Sequence, residues 1–299
     1  MEWKKYQSIV RHGKTATHET VKDGQHVVVW EKLDGANASF MLNDDGTEIL
    51  CFSRNNPLGT GKEGLRGFYE WVQENIDIKK LNKDYIYYGE WLVRHKIDYG
   101  ENEKKFYLFD ILDKSKDEFV DFETLLIEGL WIVVPFAPIY LNGVVGEDFT
   151  FEDIQALAGK SMLAPDGKGE GIVIKNYSHK FRDGSQLFTK IVTKEFQESN
   201  GVKSPKTVNQ NADPMTEFIS TYLTEARVEK ILGKLVDEGK IKEDYDVTDM
   251  GDILRALGSS VADDILAEES DELFKIVKKR VGRNVPSIVK NILEKNGKM

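Results

Sequence analysis

The chain has 299 residues, 40% of them hydrophobic and 31% charged, with a net charge of −10. That length allows one large or two ordinary domains, and the single cysteine, Cys51, excludes an internal disulfide and a cysteine-built zinc cluster. The acidic balance, taken alone, points away from nucleic acid, although an acidic chain can carry a local basic groove.

The opening MEWKKYQSIV lacks the apolar core of a signal peptide. No stretch reaches the roughly 18 apolar residues of a membrane span. The expectation is a cytoplasmic protein with no membrane partner, which suits one free thiol. Runs rich in β-branched and aromatic residues lie at 26–31, 48–53, 85–93, 105–112, 129–136, 171–176 and 187–193, and their turn-rich flanks predict strands. Helices are predicted at 64–79, 121–128 and 151–159; the last starts at Thr150, three residues before Asp153, and stops at Gly159. Residues 199–213 have no aromatic and no apolar periodicity, and read as a linker between domains at 1–198 and 214–299. Beyond the linker, apolar residues from 215 to 235 fall mostly at helical spacing, and further helices are predicted at 249–257, 260–268 and 270–294. No internal repeat is present.

Within VVVWEKLDGANASF, Lys32 stands at the mouth of an apolar strand, with Asp34 and Gly35 after it. An unpartnered lysine is rarely buried. Lys-x-Asp-Gly alone is weak, with roughly 0.07 chance copies expected in this length at average usage. Its company is more telling. Arg54 follows a strand in FSRNN, Glu90 sits inside one in YYGEWL, and Asp110 follows Phe109 in FYLFDI; GEGIVIK carries Glu170 and Lys175, and FTKIVTKEF carries Lys190 and Lys194. Burying one such charge costs several kcal/mol unless it is paired. Five strands or strand ends, each with charge in apolar context, point to a shared polar cavity.

This ordered set resembles the covalent nucleotidyltransferases, the ATP-dependent ligases and capping enzymes. It resembles the phage-type RNA ligase 2 family most, through WKKYQSIVRH, IDYGENEKKFYLFDI and TYLTEARVEKILGKL. The resemblance implies an α+β fold: an ATP-grasp-like adenylyltransferase domain of antiparallel sheets and helices, then a small all-helical domain. It implies an ATP-dependent RNA ligase, working as a monomer, that joins 3′-hydroxyl and 5′-phosphate ends, with nicks in duplex RNA as the expected substrate. Lys32 would take AMP from ATP as a lysyl-AMP, pass it to the 5′ end, and lose it when the strand is sealed. With a reference pKa near 10.4, making Lys32 neutral at pH 7 costs roughly 4–5 kcal/mol, and an apolar strand end near other cations would lower that cost.

The resemblance also places Mg²⁺ or Mn²⁺ at Asp34, Glu90 and Glu170, and ATP against Arg54, Glu90, Phe109, Glu170, Lys175 and Lys190. Phe109 would stack on adenine, with a core aromatic as its plain alternative. Arg54, Arg182, Arg227 and the basic tail at Lys278, Lys279 and Arg280 are candidate RNA contacts. The sequence departs from the family in two places: the last motif commonly reads Lys-x-Lys, and Val192 stands where the second lysine would fall; and Asp34, common across the wider ligase superfamily, differs from the phage-type pattern. The alternatives are a ligase acting mainly on DNA nicks and a non-catalytic end-binding protein. An OB-fold, expected in DNA ligases and capping enzymes, is replaced by predicted helices.

Other signals carry less. GTGKEGLRG (59–67) fails as a phosphate loop, because Asn56 and Glu63 stand where glycine and Ser or Thr are needed. It reads as a substrate loop helped by Lys62 and Arg66. The five histidines lack metal-ligand spacing, and His95 reads as structural. Residues 247–265 read as a packing hairpin.

Overall fold

The computed structural model describes residues 2–13, 17, 20–59, 64–181, 184–197 and 213–296. The chain forms two compact units: Met1–Phe196 with Gly233–Asp244, and Gln197–Leu232 with Tyr245–Met299.

The first unit holds two five-stranded sheets. In one, the order is β1 (Val10–Arg11), β10 (Gln186–Val192), β9 (Gly171–Lys180), β2 (His26–Lys32) and β8 (Ile139–Val144). Only β1 runs parallel to its neighbour; the other pairs are antiparallel. The second sheet is antiparallel throughout, in the order β4 (Ile49–Ser53), β3 (Ala36–Leu42), β5 (Tyr85–Trp91), β6 (Phe106–Asp113) and β7 (Glu118–Phe119). One core joins them, taking Val28, Trp30 and Val173 from the first sheet and Phe40, Tyr87 and Trp91 from the second. The other face of the first sheet buries Val27, Val29, Ile172 and Ile174 under Ile154 of helix α3 (Phe151–Gln155). Thr150 and Asp153 do form a capping box there.

Two helices serve the second sheet. α1 (Phe68–Asn75) is shorter than predicted, and α2 (Phe122–Ile132) is longer. α2 corrects the strand expected at 129–136. Asp121 caps the helix by accepting the Thr124 N–H, and the helix runs on through Gly129–Ile132 before Val133 ends it in the left-handed region (φ 61°). An apolar run has no period of its own, so a capped helix propagates into it and leaves Leu130 and Trp131 exposed. Strands β3 and β8 have no counterpart in the predicted elements. ANASFML is poor in β-formers, and IYLNGV contains Asn-Gly, which reads as a turn.

The second unit is helical, with α4 (Pro214–Tyr222), most of α5 (Glu225–Asp237) and α6 (Met250–Lys295). The expected hairpin at 247–265 and the expected break near 258–259 are absent, because the helix runs unbroken from 250 to 268; the expected break at 269 is present as a kink, where Glu269 leaves helical geometry (φ −122°, ψ 15°) before the helix resumes. No described helix is long and apolar enough to cross a membrane.

Candidate active site

Lys32 is the last residue of β2, paired with Gly171 of β9, and Gly171 is paired in turn with Val192 of β10. Directly paired residues share a face. Trp30, Val173 and Lys190 are paired two residues earlier, so Lys32 and Lys190 lie on one face of the sheet. A side chain at 171 would lie 2.1 Å from the Ile191 carbonyl oxygen, so only glycine lets β10 approach beside Glu170.

Glu170 meets Lys32 directly: the ammonium donates to Glu170 Oε2 at 2.6 Å. Asp34 and Glu90 also lie within electrostatic range of that ammonium. Burial opposes charge on Lys32, but Glu170, Glu90 and Asp34 outweigh it and raise its pKa above the usual lysine value. This corrects the expectation of neighbouring cations that lower it. The nucleophile candidate is set among carboxylates and rests as an ammonium. Glu90 pairs with Asn37 of β3 and Tyr107 of β6, and its Oε1 accepts the Gly35 N–H at 3.1 Å. Burial pushes its carboxyl up to about 8, with Glu170 adding to the rise against the pull of Lys32. Burial likewise raises Glu170, against Lys32 and Lys190.

Asp34 faces elsewhere. Its Oδ2 accepts the N–H groups of Lys96 (2.9 Å) and Ile97 (3.0 Å), and its own N–H donates to the Tyr99 hydroxyl at 2.9 Å. Its Oδ1 lies 3.7 Å from His95 Nδ1. Both oxygens therefore serve the 95–97 turn, and Asp34, expected as a metal ligand, here anchors a loop. Among the described residues, no three His, Cys, Asp or Glu side chains are arranged to hold a metal ion unaided.

A family model described as RNA ligase matches residues 25–192, more than half of the chain. The chain belongs to the RNA ligase family. A solved structure of a Naegleria gruberi RNA ligase with PPi shares the fold, at 24% identity and a TM-score of 0.50, covering 64% of this chain and 56% of that one. Point variants of the same ligase are also similar: one with ATP and Mn at 24% identity and TM-score 0.49, covering 65% and 57%, and one with AMP and Mn at 22% and 0.48, covering 63% and 56%. The chain thus spans just over half the length of these structures. A comparison with curated proteins finds no match.

The remaining family-motif residues fall into two sets. Phe109 is skipped by the ladder between β5 and β6, which jumps from Asp110 to Leu108. Such a bulge re-aims a side chain and frees a carbonyl. The half-buried Phe109 ring packs against Tyr6 at 4.9 Å. Lys175 donates to the freed Phe109 carbonyl at 2.6 Å and to Asp110 Oδ2 at 2.8 Å, beside the Trp30 ring. Lys175 is 2% exposed. Burial presses the amine down and the Asp110 carboxyl up, each against the pull of the other. Lys175, expected to grip ATP phosphates, is here a buried cation that fixes the bulge. Tyr6 and Tyr177 complete this group by donating to Asp110. In sequence Asp110 reads only as a motif neighbour, yet a carboxylate inside an apolar strand signals a buried partner.

Arg54 stands apart, just after β4, and donates to Ser8 at 3.3 Å with Lys5 nearby. Lys194 lies past the end of β10 in a short exposed 3₁₀ turn, not on the strand with Lys190. Arg182, Lys62 and the linker residues 199–212 lie outside the described residues. Arg227, a candidate RNA contact, is buried within the helical unit. It has no exposed surface, and it donates to Asp264 at 2.5 Å and Glu269 at 3.5 Å, so it braces the bend of α6 and presents no open face in this structure. Lys278, Lys279 and Arg280 are exposed on α6, with Arg280 3.1 Å from Asp213.

Proposed function

We propose that this chain is an ATP-dependent RNA ligase that joins 3′-hydroxyl and 5′-phosphate ends through a lysyl-AMP. The observation that carries the reading is Lys32, at the end of β2, facing Glu170 and Glu90 and sharing a sheet face with Lys190.

The cluster sets more buried carboxylates than cations around the transferred group, and a carboxyl raised to about 8 marks the imbalance. That donor set fits a divalent ion, which takes few protein oxygens and completes its shell with phosphates and water. Glu90 and Glu170 would hold it. An ion held there would supply charge neutralisation for the phosphates and would compete with Lys32 for the two carboxylates. Lys32 would give its ammonium proton to water, and the neutral amine would attack the α-phosphorus of ATP; an N–P bond forms, the α–β P–O bond breaks and pyrophosphate leaves in line. Lys190 faces the departing phosphates. The 5′-phosphate of the RNA then takes the AMP and releases the lysine. The 3′-hydroxyl attacks that 5′-phosphorus, and AMP departs. Phe109, re-aimed by its bulge, is the proposed adenine platform; such stacking is worth about 1–3 kcal/mol.

The test is incubation with α-labelled ATP and Mg²⁺, followed by denaturation. Label is expected to stay on the wild-type chain and to be absent from Lys32→Ala. Equal label on both would remove the nucleophile assignment. Comparing all-RNA with all-DNA nicks then decides the strand class, with faster RNA sealing expected.

A further inference from the structure

The residues behind Asp34 form a chain that reaches across the sequence. His95 lies between two carboxylates, with Nε2 3.0 Å from Asp237 Oδ2 and Nδ1 3.7 Å from Asp34 Oδ1. Asp237 ends α5 and is separated from the strands by the linker, yet Gly233–Asp244 groups with the first unit. Gly233 lies 3.6 Å, measured from the Cβ it lacks, from the His95 ring. Arg66 closes the far side of Asp237 at 3.5 Å, and also holds Glu243 (2.5 Å) and the Arg94 carbonyl (3.4 Å). Asp237 is buried.

We infer that His95 is a positioning residue for the loop that carries the nucleophile, and that the segment 233–244 sets it through Asp237. The inference rests on the proposed ligase function. Lys32 needs an in-line approach to phosphorus, and misplacement by about 1 Å can cost a hundredfold. Asp34 is two residues from Lys32 and fixes the loop to the 95–97 turn. An aspartate alone between two N–H groups can still swing its second oxygen, and an imidazole held on its far side prevents that. Supporting groups of this kind typically contribute ten- to a hundredfold to activity. The segment after the linker therefore contributes to AMP transfer itself, and a chain cut near residue 200 is expected to lose it.

The experiment measures the rate of AMP transfer to Lys32 in full-length protein. His95→Ala and Asp237→Ala are expected to slow it about ten- to a hundredfold. The double variant should be no slower than the slower single, because Asp237 acts through His95. His95→Gln, which can still donate to one carboxylate, should recover part of the loss. Glu243→Ala, on the exposed side of Arg66, should stay within about twofold. Binding of ATP with Mn²⁺, measured by calorimetry in a Lys32→Ala background, should change little with His95→Ala, which separates positioning from loss of the site. Should His95→Ala melt below the assay temperature, Asp237→Asn keeps the volume, removes the charge and carries the same expected loss. Wild-type rates in His95→Ala and Asp237→Asn, or fully additive losses in the double variant, would overturn the inference while leaving the ligase reading intact. Absence of label on the wild type would overturn both.

Discussion

Glu90 carries the sharpest consequence at the scale of one residue. Its carboxyl is raised to about 8 by burial and by Glu170, so it is largely protonated at neutral pH until a cation arrives. Lys32 is raised as well, and both groups must lose protons before transfer. The rate of AMP transfer should therefore climb with pH through about 6 to 8. Added Mg²⁺ should shift that climb to lower pH, because a cation favours the ionised carboxylates. The stability sign is opposite. Between an unfolded carboxyl near 4.5 and a folded one near 8, the native state binds the extra proton, so Glu90's contribution to stability declines as pH rises across that window. Glu90→Gln should transfer AMP slowly at every pH and should melt with a flatter pH dependence than wild type. A metal-independent pH profile in the wild type would show that Glu90 does not face the ion.

At the scale of elements, the strand ends were legible and their partners were not. Lys32, Glu90, Glu170 and Lys190 could be placed because charge inside an apolar strand is costly, and the structure brings them together around β2, β5, β9 and β10. Lys175 obeyed the same rule and yet belongs to the core, because the buried partner that satisfies it, Asp110, comes from another sheet through a bulge that no local pattern announces. Arg227 is hidden in sequence for a similar reason: an arginine on an amphipathic helix looks exposed until its acidic partners on α6 are in place. The register of β10 makes a further test. Lys190 shares the face of Lys32, Val192 is buried beside Gly171, and Lys194 has left the strand. Lys190→Ala should slow sealing about tenfold or more, the worth of one charged contact of about 1.5–3 kcal/mol. Lys194→Ala should cost little. Equal losses would place the phosphates beyond the strand end and reassign the grip to the 3₁₀ turn.

For the whole molecule, the proposed chemistry lies among residues of the first unit, and the open cations on α6 belong to the second. A net charge of −10 repels RNA at long range, so docking needs a local basic surface that releases condensed counterions from the phosphates. Lys278, Lys279 and Arg280 offer one, on a helix whose side chains there are exposed. Changing all three to Gln removes charge without removing helix formers. AMP transfer to Lys32 should then stay within about twofold, because none of the three lies near the strands of the proposed nucleotide site in sequence or belongs to their unit. Sealing of a nicked duplex should weaken. Its salt dependence should also flatten, each lost phosphate contact lowering the log–log slope by up to about 0.9. Arg280 is already paired with Asp213, so a total change nearer two contacts than three is expected. Unchanged sealing and an unchanged slope would move RNA docking off α6 and onto the first unit, where Arg54 and Lys5 would be the next cations to replace.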